Sequence, residues 1–184
     1  MARAILFGLA SIGILRLSWT SLREPRSHGF YRFFAFELLT ALILLNIPEW
    51  FRDPFCARQL ISYALGLLSI ALAVEGFRLL RVIGRPAAAA ATAGADLGFE
   101  KTTTLVTVGA YRFIRHPLYA SLLALAWAVY LKNPAAIADI ALTLGATAFL
   151  VATAIAEERE NLRHFGAAYA SYMKRSRRFV PFLF

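Results

Sequence analysis

Long apolar runs separated by short polar blocks organise this chain. The stretches Leu38–Ile47, Leu60–Val74, Leu118–Leu131 and Ala135–Ala156 contain one acidic residue, Asp139, and no base, as segments buried in hydrocarbon do. With an apolar N-terminal run they predict about five transmembrane helices, at roughly Ala4–Trp19, Phe30–Ile47, Gln59–Val82, Pro117–Leu131 and Ala135–Ala156. The expected fold is therefore all-α, a single integral membrane domain over 1–184. The fourth run is short: at 1.5 Å per residue it covers about 22 Å, so it must thin the bilayer, tilt little or begin within the interface. Between the third and fourth runs, Gly84–Val108 carries Pro86, an alanine run, Gly94 and Gly98. It is too polar to span and too long for a simple turn. Beyond the fifth run, Glu157–Phe184 reads as a cytoplasmic amphipathic helix followed by an extended end. Leu162, Phe165, Tyr169 and Tyr172 recur there at three- and four-residue spacing among charged side chains.

Composition agrees with a membrane protein, 59% of residues being hydrophobic and 17% charged. The net charge of +9 does not point to nucleic acid, because the bases sit in blocks between apolar runs and not on one face. With five crossings, one side of the membrane receives Arg3, Arg52, Arg58 and Lys132 and the other the remaining sixteen of twenty bases. The positive-inside rule then puts the N-terminus outside and the C-terminus in the cytoplasm. Ala4–Leu15 follows a single base, Arg3, with no clear small-x-small site after it, so it reads as a retained first helix. The lone Cys56 leaves no internal disulfide and no CxxC metal or redox site.

Two constellations carry candidate chemistry. Around Arg112, Arg115, His116, Pro117 and Tyr119 a loop enters the fourth helix, with Pro117 suited to the first helical position. The exposed N–H groups and positive dipole end there favour an anionic group. Glu157 and Glu158 close the fifth run. The tight Lys132-Asn133-Pro134 turn predicts an antiparallel hairpin whose open end brings Arg115–Tyr119 to Glu157–Glu158, a polar mixed-charge pocket suited to a zwitterion. Arg32 and Glu37 form a third feature, inside an aromatic stretch. Intramembrane ionisable residues are functional candidates, and the structural alternative is a mutual pair or contacts with Glu75 or Arg78.

Read in order, Gly109-x-Tyr111, Arg115-His-Pro-x-Tyr119, Asn133-Pro134, Glu157-Glu158 and Phe165-Gly166-x-x-Tyr169-x-x-Tyr172 up to Pro181 resemble the isoprenylcysteine carboxyl methyltransferase family. The related phospholipid methyltransferases share much of this set, and the resemblance covers about Thr103 to Phe184. It implies an enzyme that uses S-adenosylmethionine, releases S-adenosylhomocysteine and methylates a membrane-embedded, lipid-like acceptor, with no metal. Carried over by position, the resemblance assigns cofactor contacts to Thr103, Thr104, Leu105, Val106, Tyr111, His116, Pro117, Leu118, Tyr119 and Glu157. Glu157 would accept from the ribose hydroxyls or the ammonium, His116 and nearby amides would hold the carboxylate, and Tyr111 and Tyr119 would enclose adenine or the sulfonium. Glu37, Arg115, Thr153 and Glu158 are candidates for the acceptor side. Thr153 stands where prenylcysteine methyltransferases have an arginine, so prenylcysteine, phosphatidylethanolamine, a quinone and other isoprenoids all stay open as acceptors.

On the same reading, residues 1–83 form an acceptor-side wall and 84–184 the cofactor site on the cytoplasmic face. Membrane sterol reductases using NADPH share the architecture and an Arg-His-x-x-Tyr element, but typically have Asn where Pro117 stands and lack the glutamate pair. A small non-enzymatic membrane scaffold is the remaining alternative, and the oligomeric state cannot be read from the sequence.

Overall fold

A computed structural model describes residues 1–84 and 102–181. Pro86, the alanine run, Gly94 and Gly98 of the long connection lie outside the described residues. Six α-helices occur in the described parts: α1 Ala2–Ser18, α2 His28–Asn46, α3 Ala57–Val82, α4 Pro117–Tyr130, α5 Ile137–Phe165 and α6 Ala167–Arg175. No strand is present among the described residues; Ile114 and Arg177 form an isolated parallel bridge.

Three helical segments, His28–Glu49, Ala57–Val82 and Ile137–Phe165, are long and apolar enough to cross a membrane, and Pro117–Tyr130 is a shorter apolar helix. Exposed side chains such as Leu45, Leu67, Ile70, Val74 and Leu144 cover their outer faces. So much exposed apolar surface is stable only against lipid. The protein is an integral membrane protein.

The helices do not pack in chain order. α2 lies along α5, α3 along α4, and the α4–α5 hairpin joins the two pairs, while α1 sits at the edge against α2. In lipid the hydrophobic effect does little to hold helices together, so close packing of small residues must. Ala126, Ala128, Ala146 and Ala154 are nearly or wholly buried. The Ser62 hydroxyl donates to the Ala128 carbonyl at 2.7 Å, tying α3 to α4. Leu39, Leu42, Val129 and Ala146 fill the middle of the bundle, and Ala35, Tyr119, Leu150 and Phe179 fill the end that carries the polar residues.

Local chemistry sets the helix ends. The Ser27 hydroxyl caps α2 by accepting from the Phe30 N–H at 3.2 Å, and Glu160 of α5 accepts from the His28 N–H at 3.0 Å. Pro117 occupies the first turn of α4, as its sequence position predicts. At the far end of the hairpin, buried Lys132 donates to Gln59 Oε1 at 2.8 Å and lies 3.9 Å from the Tyr63 ring. Burial, then the Arg58 charge, lowers its pKa.

One expectation needs correction. The tail is not a single amphipathic helix from Glu157: α5 runs on without a break to Phe165, and Gly166, at φ +55°, ends it before α6 begins. Nothing between Ala156 and Gly166 disfavours helix, whereas the positive φ at 166 suits glycine. Leu162 and Phe165 therefore belong to α5, and only Tyr169 and Tyr172 lie on the buried side of α6.

Candidate active site

The loop before α4 is held between α3 and the C-terminal tail. Gly109, at φ +58°, passes so close to α3 that a Cβ there would lie 2.6 Å from Leu79 Cδ1 and 2.7 Å from Glu75 Oε1. The turn Gly109–Arg112 that follows buries Tyr111 against Leu79 and Val106. From Phe113 onward the loop runs parallel to the tail. The Arg177 N–H donates to the Phe113 carbonyl at 2.9 Å, the Arg115 N–H to the Arg177 carbonyl at 2.7 Å and the His116 N–H to the Arg178 carbonyl at 3.2 Å. Tyr172 fastens the two segments again, its hydroxyl donating to the Tyr111 carbonyl at 2.6 Å. Burial holds the Tyr172 phenol above its ordinary pKa, so it remains a donor.

Glu158 is the hub beneath this ladder. Its side chain is 5% exposed and accepts from Arg115 Nε at 2.7 Å and from Arg178 at 2.7 and 3.2 Å. Arg115 also donates to the carbonyls of Met173 and Ser176. Arg115 and Glu158 thus bind the tail onto the hairpin, and Arg115 also lines the cavity described next. Thr153 is fully buried, and its hydroxyl donates to the Phe149 carbonyl in its own helix at 2.7 Å. Glu37 accepts from the Ser11 hydroxyl of α1 at 2.6 Å, while Glu75 pairs with Arg78 within α3. Neither Thr153 nor Glu37 lines the cavity described next.

A cavity of about 260 Å³ opens where the hairpin ends, α2, α3 and α6 meet. Of the residues singled out for the cofactor, Leu105, Val106, Tyr111, His116, Leu118, Tyr119 and Glu157 line it. Pro117 is buried beside it without lining it. Thr103 and Thr104 are exposed, with both N–H groups donating to the Gly84 carbonyl, and Thr102 lines the cavity.

His116 and Glu157 come together on its polar side, with His116 Nδ1 3.8 Å from Glu157 Oε2 and Nε2 3.4 Å from Glu158 Oε1. The His116 ring is stacked on Tyr119, centroids 5.5 Å apart. Its Nε2 is buried and makes no hydrogen bond among the described residues, an atom that a ligand could satisfy. The sequence reading did not single out Asn161, Phe165, Tyr169 and Tyr172 for the cavity, nor Arg32 and Phe36 from α2. Asn161 stands one turn after Glu157, so helical spacing alone could have found it. Tyr169 faces both: burial and the Glu157 charge raise its phenol pKa, against a hydrogen bond with Asn161.

Residues 89–164 match the model of the isoprenylcysteine carboxyl methyltransferase (ICMT) family. That stretch of the chain is similar to the ICMT family. Searches of curated proteins and of solved structures found no match. The ICMT segment contains the loop, α4 and nearly all of α5, and therefore Tyr111, His116 and Glu157. It bears out the resemblance read from the motifs, and it does not favour an NADPH reductase. Arg32, Phe36, Tyr169 and Tyr172 reach the same cavity from outside the ICMT segment.

Proposed function

We propose that this protein transfers a methyl group from S-adenosylmethionine to a membrane-embedded, lipid-like acceptor. One observation carries the reading: His116 and Glu157, far apart in sequence, meet at 3.8 Å in one cavity at the open end of the hairpin. The donor set fits the cofactor. Glu157 and Asn161 can accept from hydroxyl or ammonium groups, and the buried His116 Nε2 can meet a carboxylate. Leu105, Val106 and Leu118 give an apolar bed for a base, and Tyr111 and Tyr119 supply ring faces toward a sulfonium. When bound, S-adenosylmethionine supplies an electrophilic methyl group. The protein's part is to align the acceptor with it and keep water away.

The proposed topology has five crossings, with α1 and α4 as the short spans, the N-terminus outside and the cavity facing the cytoplasm. In it α2 and α3 form the acceptor wall, and the hairpin, loop and tail form the cofactor side. Incubating the purified protein with methyl-labelled S-adenosylmethionine and a total lipid extract tests this. The label is expected in the organic phase in proportion to protein. A fully saturated reaction with a short water-soluble acceptor, and no gain from a lipid tail, would contradict the lipid-like acceptor.

A further inference from the structure

The ladder between loop and tail carries positive charge that no carboxylate of its own answers. Residues 102–116 and 167–181 contain no aspartate or glutamate. Glu158, from α5, takes up Arg115 and Arg178. That leaves Arg112, Lys174, Arg175 and Arg177 exposed, with no ion pair to a described residue. The backbone sets them close together: Arg177 donates its N–H to the Phe113 carbonyl, which brings it beside Arg112 and Phe113. Lys174 and Arg175 end α6 just ahead of it. Apolar surface comes with this charge. Phe113 and Val180 are each 46% exposed, and the Arg112 guanidinium lies 5.6 Å from the Phe113 ring centroid. Arg78 of α3 is exposed too, but Glu75 pairs with it within the helix.

We propose that this loop–tail surface docks on anionic lipid headgroups of the bilayer in which the protein sits. The charge on it asks for an anionic partner, and the exposed ring and Val180 ask for one with hydrocarbon beside the anion. A leaflet rich in acidic phospholipid offers both, headgroup charge to the four cations and an apolar boundary to Phe113 and Val180. Phe113 stands one turn before α4, the short apolar helix, where a chain entering lipid crosses the headgroup layer. Zwitterionic headgroups carry no net charge for these cations, so the surface distinguishes the two kinds of lipid. Docking would also brace α6, which brings Tyr169 and Tyr172 to the cavity. The inference is independent of the methyltransferase reading and needs only a chain that lies in a membrane.

Photo-cross-linking tests it on the full chain in nanodiscs made from equal parts of phosphatidylglycerol and phosphatidylcholine. A photoreactive benzoylphenylalanine is placed at Val180 or, for reference, at Leu67 on the outer face of α3, which is 69% exposed. Mass spectrometry then counts the lipid adducts. At Val180 phosphatidylglycerol is expected to exceed phosphatidylcholine by about fivefold or more, the effect of even one base near a charged leaflet. At Leu67 the adducts should follow the composition of the disc. Combining Arg112→Gln, Lys174→Gln, Arg175→Gln and Arg177→Gln should bring the ratio at Val180 down to that of Leu67. Salt at about 1 M, which screens beyond roughly 3 Å, should do the same to the unaltered cations and serves if the combined variant does not fold. Adducts at Val180 in the disc ratio, or an excess that survives both neutralisation and salt, would overturn the proposal. So would the absence of lipid adducts at Val180 beside normal ones at Leu67, which would turn the surface toward a soluble acidic partner.

Discussion

Glu158→Ala is expected to loosen the C-terminal tail from the hairpin and to destabilise the protein by roughly 3–5 kcal/mol, the range for removing one partner from a buried ion pair. Glu158 holds two guanidinium groups, Arg115 and Arg178, whose side chains are 9% and 20% exposed. Without the carboxylate, both cations stay partly buried with their mutual repulsion uncompensated. The loop ladder from Phe113 to His116 depends on the tail that these arginines fasten, so the cavity should suffer with it. The thermal midpoint in detergent should fall, and limited trypsin digestion should cut faster within Lys174–Arg178. An unchanged midpoint with unchanged cleavage would mean that the backbone ladder and Tyr172 hold the tail by themselves. Glu158→Gln, which keeps acceptor capacity but loses the charge, should fall between the two.

Glu157→Ala and His116→Ala are expected to weaken binding of S-adenosylhomocysteine by about tenfold or more each, as loss of a charge-assisted or buried hydrogen bond would. The two differ in what else they disturb. The Glu157 side chain is 29% exposed and makes no hydrogen bond or ion pair with a described tail residue, so its removal should leave the thermal midpoint close to that of the wild type. His116 is buried and stacked on Tyr119, so its loss should lower the midpoint as well. His116→Asn keeps a polar group at the start of α4 and should recover more stability than affinity. Titration calorimetry on protein in nanodiscs checks both, and unchanged affinity in either variant would remove that residue from the cofactor site.

The parts of the site legible in the sequence are those that local chemistry fixes. Pro117 marks the start of α4, Lys132-Asn133-Pro134 turns the chain back, and a hairpin with that register must set His116 beside Glu157. What stayed hidden depends on packing between helices. A helix that is apolar all round reports no preferred neighbour, so nothing in the sequence said that α2 lies along α5 or that Arg32 reaches the cavity. The tail was misread because its aromatic spacing continues across Gly166, where the backbone turns. Thr103 and Thr104 were assigned to the cofactor by motif, but both are exposed, their N–H groups donate to the Gly84 carbonyl, and neither lines the cavity. That Arg115 and Glu158 also fasten the tail shows only in their contacts with Arg178 and the tail carbonyls.

The whole functional reading depends on the cavity at the hairpin's open end accepting an S-adenosyl ligand. Titrating the wild-type protein in nanodiscs with S-adenosylhomocysteine and, separately, with NADPH tests this most directly. Saturable one-to-one binding of S-adenosylhomocysteine and none of NADPH is the expected result. Binding of NADPH with no response to S-adenosylhomocysteine would contradict it.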